Sequence, residues 1–567
     1  MNEVVLIYLV ALLLAWPIGK YIAAVYSPEH TRLDQVFDPL ERAIYRLVGV
    51  DPRERMNWQT YALALLKLHV ILGLAVFAIL ATQTWQPLNP DGVKSMSWDL
   101  ALHTMASFLT NTNQQHYSGQ AQLSYFAHMF GIVTLQIVTP AVGMAALMAI
   151  ARVLLGRSET IDRTDRGEIS VGNFHVDLTR GIVRVFIPLA FIVAIAIGSQ
   201  GVPSSFQGAQ AAEPLDPATE MEPMRIPIGP VAAMVAIKQV GTNGGGWYGP
   251  NSSVPLENPT PLSNFVQIVS IILVPVALVF AVGFLTGRRR LAVGILGVML
   301  VMSFSLASLS IWSESQPNAA FAGLAAEGGN MEGKEVRFGP TVSALWGTFT
   351  TQTSNGSVNA MHDSFNPGAG AATLMGMFIN ATFGGVGVGL INFLVFTLLA
   401  AFLASLMVGR RPEFFGRVLE AREIKLISIA LLIQPLLILG MSAIALAVPS
   451  LSGVTNPGFH GISQVVYEYT SAFANNGSGF EGLDDDTVWW NVSTAFNLIL
   501  GRFIPILAPL AVAAMLAAKK TAPVSAGSLD METPTFAGFT LAVIVMLALL
   551  SFLPVLVIGP LAEALSL

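Results

Sequence analysis

Four short polar runs interrupt this apolar chain, and each resembles the other three. They read Thr110-Asn-Thr-Asn-Gln-Gln-His-Tyr117, Gly241-Thr-Asn-Gly-Gly-Gly-Trp247, Thr353-Ser-Asn-Gly-Ser-Val-Asn359 and Ala474-Asn-Asn-Gly-Ser-Gly-Phe480. Their centres lie roughly 110 to 130 residues apart, between long apolar segments. A polar motif that recurs four times in a membrane protein predicts four loops around one axis, which is how a pore presents oxygens to a cation.

Composition places the chain among membrane proteins. Of its 567 residues, 53% are hydrophobic and 11% are charged, whereas a soluble domain has about 25% charged residues. The chain contains no cysteine, which excludes disulfides, thiolate metal sites and cysteine nucleophiles. The N-terminus lacks a basic region and a small-residue cleavage site, so we expect a retained span there and not a signal peptide.

Hydropathy predicts ten membrane spans. Some exceed the roughly 20 residues that a bilayer requires, so these spans can tilt or break. The spans lie near 3–26, 60–82, 123–151, 181–199, 263–286, 291–313, 372–408, 425–448, 488–516 and 536–560.

Basic residues indicate the orientation of the spans. One set of alternate loops holds 21 Lys and Arg residues, and the other set holds 5. By the positive-inside rule the basic loops face the cytoplasm, so both termini and all four polar runs face outward. We expect a multi-pass membrane protein whose basic loops lie in the cytoplasm.

A short apolar stretch precedes each polar run and is too brief to cross a bilayer, which is typical of a re-entrant half-helix. These stretches are 98–109, 229–240, 341–350 and 462–473. The predicted fold is therefore an all-α polytopic membrane protein with four pseudo-symmetric membrane–pore–membrane repeats around one central pore. The predicted units are 1–59 (first span and cytoplasmic loop), 60–155, 180–286, 291–408 and 425–516 (repeats 1 to 4), and 517–567 (cytoplasmic loop and last span).

The loop residues suit a dehydrated monovalent cation. Backbone carbonyls can replace the hydration shell of the ion, and aiming successive carbonyls inward requires alternating backbone handedness, which Gly244, Gly356 and Gly477 permit. The helix dipoles of four half-helices would add negative potential at the axis. None of the loop cores carries Asp or Glu, which disfavours Ca²⁺ and Mg²⁺. The alternative is that Asn-Gly pairs are ordinary turn signals.

The first loop differs from the other three. We align Gln115 with the three glycines, so that Asn113 and Gln114 precede it. This alignment predicts a ring that is only pseudo-fourfold, with a side-chain amide in one quadrant.

Two features inside the spans are candidates for control of the pore. Arg502 interrupts the ninth span, where charge is costly and usually faces the protein interior; snorkelling to an interface is the alternative. The seventh span contains Phe383-Gly-Gly-Val-Gly-Val-Gly389, whose Gly384, Gly385 and Gly387 favour a broken helix below the filter. Close helix packing through small residues is the alternative there.

Nucleotide chemistry is not expected of this chain. Gly328-Gly-Asn-Met-Glu-Gly-Lys-Glu335 approaches a phosphate-binding loop, but Glu335 replaces the required Ser or Thr and the segment faces outward. The histidines show no zinc spacing of the His-Glu-x-x-His type, and the Asp-Lys-Thr-Gly phosphorylation sequence is absent. We therefore expect a non-catalytic chain; a membrane enzyme has no paired base and nucleophile to support it.

The chain resembles a known family along essentially its whole length. It is similar to the A subunit family of the bacterial potassium-transporting ATPase, KdpA, within the superfamily of K⁺ transporters. The motifs that carry the resemblance are Met56-Asn-Trp58, Leu88-Asn-Pro90, Ser97-Trp-Asp-Leu-Ala-Leu102, Thr110-Asn-Thr-Asn113, Gly241-Thr-Asn-Gly-Gly-Gly246, Glu257-Asn-Pro259, Asn330-Met-Glu-Gly-Lys-Glu335, Ala360-Met-His-Asp-Ser-Phe365, Phe383-Gly-Gly-Val-Gly387 and Asn475-Asn-Gly-Ser478.

The resemblance implies a K⁺-selecting subunit that passes the ion to a P-type ATPase subunit, KdpB, which hydrolyses ATP. KdpC and a small KdpF-like subunit would complete the complex. A self-sufficient K⁺ channel or symporter is the alternative. The family's filter residues correspond here to Asn113, Gln114, Gln115, Thr242, Asn243, Gly244, Ser354, Asn355, Gly356, Asn475, Asn476 and Gly477.

The resemblance also places Arg502 below the filter, in a Gly-Arg-Phe string. The chain departs from the family at two positions. Gln114 stands where some members carry an aromatic residue, and Asn380 stands where a carboxylate is expected.

Overall fold

Ten long apolar helices form the body of the protein. The computed structural model describes residues 2–27, 31, 33–156, 161–216, 222–318, 320, 328–522 and 529–567. Within these ranges ten helices are long and apolar enough to cross a membrane, which confirms the predicted number of spans. They are Asn2–Tyr26, Trp58–Ala81, Ala127–Leu154, Phe174–Gly198, Pro261–Thr286, Arg289–Glu314, Val388–Met407, Ala421–Ala447, Val488–Ala517 and Pro534–Ser566.

The α-helices are numbered in chain order, and three spans include a π-helical segment. These segments are Ala127–Val133, Gly181–Phe186 and Val557–Leu561. The α-helices are α1 (Asn2–Tyr26), α2 (Asp34–Val48), α3 (Trp58–Ala81), α4 (Trp98–Leu109), α5 (Gly119–Gln122), α6 (Thr134–Leu154), α7 (Phe174–Arg180), α8 (Ile187–Gly198), α9 (Val231–Val240), α10 (Pro261–Thr286), α11 (Arg289–Glu314), α12 (Gly339–Gln352), α13 (Pro367–Ile379), α14 (Val388–Met407), α15 (Ala421–Ala447), α16 (Pro449–Ser452), α17 (Phe459–Phe473), α18 (Val488–Ala517), α19 (Pro534–Leu556) and α20 (Ala562–Ser566).

Two small antiparallel hairpins lie in the connections between spans. In the first, β1 (Gln210–Ala212) pairs with β2 (Met224–Ile226); in the second, β3 (Glu413–Phe414) pairs with β4 (Arg417–Val418). Residues 217–221 of the predicted repeat 2, and residues 319 and 321–327 of the predicted repeat 3, lie outside the described residues.

Side-chain caps fix where several helices begin. The Asn57 side chain accepts a hydrogen bond from the Thr60 amide at the start of α3, and Thr533 does the same for Phe536 at α19. Thr260 and Ser263 form a reciprocal capping box at α10. These side chains accept hydrogen bonds from backbone amides that the first helical turn leaves unpaired. They thereby fix the residue at which each of these helices begins.

A short helix lies between two spans in each of the four repeats. The helices α4, α9, α12 and α17 match the predicted half-helices, and each packs on two neighbouring helices of its own repeat. Specifically, α4 contacts α3 and α6, α9 contacts α8 and α10, α12 contacts α11 and α13, and α17 contacts α15 and α18. All four short helices are followed by a polar loop that is buried in the protein.

The seventh predicted span, 372–408, is not continuous. Helix α13 ends at Ile379 and is followed by Asn380, whose backbone is left-handed, and α14 begins after Gly387, whose φ is also positive. A helix cannot pass through two such residues, because the right-handed hydrogen-bond ladder requires negative φ. The predicted break is therefore present, and the helix that can span a membrane is α14 alone.

Helix α1 stands outside the repeats and packs along α10. Gly19 makes this contact possible, because a Cβ at that position would lie 2.5 Å from the carbonyl oxygen of Ala277. Helix α10 is almost entirely buried along its apolar stretch, whereas most residues of α15 and α19 are partly or fully exposed. The repeats thus form a packed centre, and α15 and α19 present apolar side chains to the surrounding lipid.

Candidate functional site

The four polar loops share one backbone turn. In each loop an amide folds back to the carbonyl oxygen five residues earlier, on the preceding short helix. The bonds are Thr112 N to Ser107 O (3.0 Å), Asn243 N to Lys238 O (2.9 Å), Asn355 N to Thr350 O (2.9 Å) and Asn476 N to Ser471 O (2.9 Å). These bonds define which residues of the four loops are equivalent.

Backbone handedness alternates along every loop. The residue before each equivalent amide has positive φ, and so does the residue after it. The first set is Asn111, Thr242, Ser354 and Asn475, and the second is Asn113, Gly244, Gly356 and Gly477. The alternation expected for inward-facing carbonyls is therefore present in all four loops.

The structure corrects the alignment of the first loop. Asn113, and not Gln115, occupies the position of the three glycines, with φ of 57°. The prediction placed Gln115 at this position and was wrong by two residues. The polar residues of the first loop extend beyond the turn, and the prediction did not take its register from the end of α4. Counting from Thr110, the C-terminal cap of α4, gives the observed equivalence. Asn111 and Thr112 therefore belong to the ring, and both were missed.

The loops follow one another around the ring in chain order. A Cβ built on Gly244 would overlap the carbonyl of Asn355, one on Gly356 would overlap that of Asn476, and one on Gly477 would overlap that of Thr112. Asn113 closes the circle, since its Nδ2 donates to the carbonyl oxygen of Gly244 at 2.9 Å. Four loops of one chain thus surround a common axis.

Asparagine side chains brace three of the loops against the preceding repeat. Asn355 Nδ2 donates to Lys238 O at 2.9 Å, and Asn476 Nδ2 donates to Thr350 O at 2.7 Å. Asn243 Nδ2 donates to the Asn111 side chain. Thr112 has no side-chain amide and cannot donate the equivalent hydrogen bond. Its hydroxyl lies 2.8 Å from that of Thr110 instead. The ring is pseudo-fourfold at this position.

A cavity of about 780 Å³ lies on one side of the ring. Asn113, Gly356 and Gly477 face it, as do Gln114 and Gln115. Gln115 pairs with the backbone of Gly246, and the Gln114 amide donates to the Glu468 carboxylate. Both glutamines therefore line this cavity, which is called the vestibule below, and they do not form part of the repeated turn.

Ionisable groups line the same vestibule. His116 Nε2 lies 3.1 Å from Glu468 Oε1 and 3.8 Å from Asp485 Oδ2. Burial opposes charge on the imidazole, but the carboxylates of Asp485 and Glu468 raise the pKa of His116 to about 9. These residues were not among the predicted site residues. His116 lies 352 positions before Glu468 in the chain, so no local motif joins it to the two carboxylates.

The segment 328–335, whose sequence is close to a phosphate-binding loop, is held by an ion pair. Lys334 Nζ lies 2.7 Å from Glu314 Oε2, and both side chains are buried. Asn330 Nδ2 donates to the same carboxylate at 3.0 Å. The lysine thus neutralises a buried glutamate beside the vestibule, which is a structural use of the segment.

The glycine-rich segment lies directly beneath the ring. Val386 N donates to Thr242 Oγ1 at 2.9 Å, and Ser354 Oγ donates to Asn380 Oδ1 at 2.8 Å. Both Thr242 and Ser354 are the first positive-φ residues of their loops. The break between α13 and α14 is therefore hydrogen-bonded to the inner end of the ring, and Asn380 is one of its contacts.

Arg502 lies below the ring and is buried, with 2% of its surface exposed. Its Nη2 donates to Thr139 O in α6 at 2.9 Å and approaches Gly143, which also packs against Gly387. Among the described residues Arg502 makes no ion pair with a carboxylate. Because the guanidinium is buried, the snorkelling alternative does not apply.

Four re-entrant helices, each leading into an oxygen-lined loop of a single ring, define the class of membrane proteins that form one cation pore from four repeats of a single chain. Within that class the chain belongs to the family described as KdpA, potassium-transporting ATPase A subunit, whose profile matches residues 5–565.

Curated relatives match over nearly their full length. A potassium-transporting ATPase potassium-binding subunit from Gloeobacter violaceus is 45% identical over 554 residues, which cover 96% of this chain and 94% of the relative. Proteins of the same name from Bacteroides fragilis and Pseudomonas putida are each 44% identical, covering 98% and 99% of this chain and 97% and 98% of the respective relatives.

A solved structure shows the same fold at low sequence identity. The potassium transporter TrkH from Vibrio parahaemolyticus superposes with a TM-score of 0.51 and 14% identity, covering 88% of this chain and 96% of that one. The shared fold supports the four-repeat architecture independently of the sequence matches.

Proposed function

We propose that this chain is the K⁺-binding and translocating subunit of a high-affinity, ATP-driven K⁺ uptake complex. The observation that carries the proposal is the ring of four equivalent turns with alternating handedness at Asn111–Asn113, 242–244, 354–356 and 475–477. Backbone oxygens arranged in this way can replace the hydration shell of K⁺. The names of the curated relatives support K⁺ as the transported ion.

The proposed filter comprises the three residues of each turn, and it contains no carboxylate. In the first loop it comprises Asn111, Thr112 and Asn113, with Gln114 and Gln115 in the vestibule wall. A ring of neutral oxygens favours a monovalent ion, since Ca²⁺ and Mg²⁺ usually recruit carboxylate ligands. The four repeats would each contribute one quadrant of this site, within the limits 60–155, 180–286, 291–408 and 425–516.

The arrangement below the ring supports delivery to a partner and not free passage. Gly384, Gly385 and Gly387 lie in the segment beneath the filter, and the buried Arg502 places a positive charge beside it. A fixed positive charge opposes the straight passage of a cation. K⁺ would leave sideways toward a P-type ATPase subunit, KdpB, in a complex that includes KdpC and a small KdpF-like subunit.

We place this complex in the bacterial cytoplasmic membrane with the filter and both termini outward. The excess of Lys and Arg in the alternate loops supports this orientation. Nucleotide would bind to the partner, since this chain carries no phosphorylation sequence of the Asp-Lys-Thr-Gly type.

The test is K⁺-stimulated ATP hydrolysis and Rb⁺ uptake by the assembled complex carrying Gly244→Ala or Gly244→Asp. A side chain at Gly244 would enter the Asn355 carbonyl, so the K⁺ concentration for half-maximal activity should rise at least about tenfold, or about 1.4 kcal/mol. Gly297→Ala is the matched control, because nothing lies within 4 Å of its Cβ. An unchanged K⁺ requirement in the assembled Gly244 variants would reject this filter, and ATP-independent uptake by the chain alone would favour the channel or symporter alternative.

A further inference from the structure

The vestibule wall holds a cluster of potential metal ligands that the proposed K⁺ pathway does not use. His116, Glu468 and Asp485 each offer a ligand atom, and these atoms all lie within 4.8 Å of one another. His116 follows the first loop, Glu468 lies on α17, and Asp485 precedes α18. All three line the cavity of about 780 Å³ outside the ring, so an ion can reach them from that side.

The histidine is held in the orientation that a metal ligand requires. Its Nδ1 lies 2.7 Å from Asn491 Oδ1, and Asn491 Nδ2 in turn donates to Asp99 Oδ2 at 2.9 Å. Because Asn491 presents an acceptor, Nδ1 keeps its proton, and a metal ion would take the place of the Nε2 proton that faces the carboxylates. Metal-binding histidines are commonly oriented by such a chain of hydrogen bonds.

Gln114 supplies a second observation at the same place. It is 2% exposed and donates from Nε2 to the Glu468 carboxylate, while its Oε1, near the His103 ring, accepts no well-formed hydrogen bond from the described residues. A half-turn of this amide would present Oε1 to the cluster in place of Nε2. The ligand set would then be one nitrogen and three oxygens.

We propose that His116, Glu468 and Asp485, with Gln114 as a fourth ligand, form a site for a divalent transition-metal ion of the zinc class at the outer mouth of the pore. One imidazole and carboxylate oxygens suit Zn²⁺, and four ligands match its tetrahedral preference. An imidazole is a poor ligand for K⁺, Mg²⁺ and Ca²⁺, which prefer oxygen. The separations of 3.1 and 3.8 Å between the imidazole and the two carboxylates are close to those around one small ion.

A bound ion would also act on the filter. Gln114 is adjacent to Asn113 of the ring, so a charge of +2 at the cluster would lie beside the path by which K⁺ reaches the filter. The wall would lose the negative potential of its two carboxylates, and with it the attraction for an approaching cation. Zn²⁺ should therefore lower K⁺ uptake, an effect that rests on the proposed function of the chain.

The first experiment measures the site itself on the full chain purified in detergent micelles, without K⁺. Bound Zn²⁺ is counted after equilibrium dialysis against buffered Zn²⁺. The wild-type chain should retain one ion, and both His116→Gln and Asp485→Asn should weaken binding at least about tenfold. Asp484→Asn, an exposed neighbour outside the cluster, is the matched control and should bind like the wild-type chain.

The second experiment measures Rb⁺ uptake by the assembled complex with and without external Zn²⁺. The ratio of the two rates is compared within each variant, so that differences in expression cancel. Zn²⁺ should slow uptake by the wild type and by Asp484→Asn, and it should have a weaker effect on Asp485→Asn. Elution of each complex at its normal volume in size-exclusion chromatography shows that the variant has folded.

The two experiments separate failure of the site from failure of the proposed function. Absence of stoichiometric Zn²⁺ binding, or equal binding by the wild type and both cluster variants, would overturn the site. Zn²⁺ binding without an effect on uptake would overturn its action on the filter. A chain that binds Zn²⁺ at the cluster yet supports no K⁺ uptake would reject the proposed function and retain the site.

Discussion

Asn113 takes a backbone conformation that the other three loops give to glycine. A residue with a Cβ is uncommon at positive φ, and asparagine is among those that tolerate it. Its amide also donates to the Gly244 carbonyl, so this side chain both fits the turn and joins two loops. The asymmetry of the ring therefore begins with one residue that supplies a hydrogen bond where its three counterparts have no side chain.

The first prediction distinguishes the two alignments of the first loop. Asn113→Val places a β-branched side chain at φ of 57° and removes the bond to Gly244, so the K⁺ requirement of the complex should rise at least about tenfold. Gln115→Val, two residues further along the chain, should change the K⁺ requirement of the complex by less than about threefold. K⁺-stimulated ATPase titrations give both values. A larger effect of Gln115→Val than of Asn113→Val would show that Gln115, and not Asn113, belongs to the ring.

The second prediction concerns Arg502. Arg502→Met removes the positive charge and keeps a side chain of comparable length, so the buried site stays filled while the electrostatic barrier falls. We expect the complex to assemble and to show faster ATP-independent Rb⁺ efflux from proteoliposomes. Arg502→Lys retains the charge and should restore a slow leak. Equal rates of ATP-independent Rb⁺ efflux from the wild type and Arg502→Met would show that Arg502 is not part of the electrostatic barrier.

At the scale of elements, the break between α13 and α14 is the feature most closely tied to the filter. Gly384 has φ of 62°, and a Cβ there would overlap the backbone of Gly389. The segment also donates from Val386 to Thr242 at the inner end of the ring. A change in this turn is therefore transmitted to the filter through a hydrogen bond and not only through packing.

The third prediction tests that connection. Gly384→Ala should distort the turn and reduce the maximal rate of K⁺ uptake more than tenfold, or more than about 1.4 kcal/mol in activation free energy, while the complex still assembles. Gly370→Ala in α13 is the control, since its Cβ would make an ordinary contact with Phe480 at 3.5 Å. Normal Rb⁺ uptake by Gly384→Ala would show that the turn accommodates a side chain without effect on the path.

The elements were predictable from the sequence to different degrees. Spans and half-helices follow from local hydropathy, so α4 was predicted to the residue and α9 to within two residues of its start. The break at 380–387 was indicated by its glycines, but the first filter loop was misaligned, because polar residues there extend beyond the turn. The cluster of His116, Glu468 and Asp485 could not be predicted, since it forms only when repeats 1 and 4 meet.

At the scale of the whole molecule, His460 connects three distant parts of the chain. Its Nε2 lies 2.9 Å from Asp363 Oδ1 in repeat 3, and its Nδ1 lies 2.8 Å from Glu563 Oε1 in α20. Helix α20 belongs to the last span, which stands outside the four repeats. The imidazolium thus joins the last span to repeats 3 and 4, which are neighbours around the pore.

The fourth prediction is a loss of stability at alkaline pH. Burial opposes the charge on His460, but hydrogen bonds with Asp363 and Glu563 raise its pKa from 6.5 to about 10. A raised pKa stabilises the folded state fully below 6.5, and this contribution falls as pH rises toward 10. The Tm of the detergent-solubilised chain should therefore fall over this range, and His460→Gln should flatten the fall. An equal fall of Tm with pH in the wild type and in His460→Gln would contradict a stabilising role for the protonated His460.

Because all four quadrants belong to one polypeptide, any one of them can change alone. In a tetramer of identical chains a substitution enters the ring four times, and its cost is multiplied accordingly. Here Thr112 and Asn113 replace an Asn-Gly pair in a single quadrant, and the other three remain as they were. Tandem repetition thus gives such a protein a way to adjust ion affinity by small separate steps, each tested by selection against three unaltered neighbours.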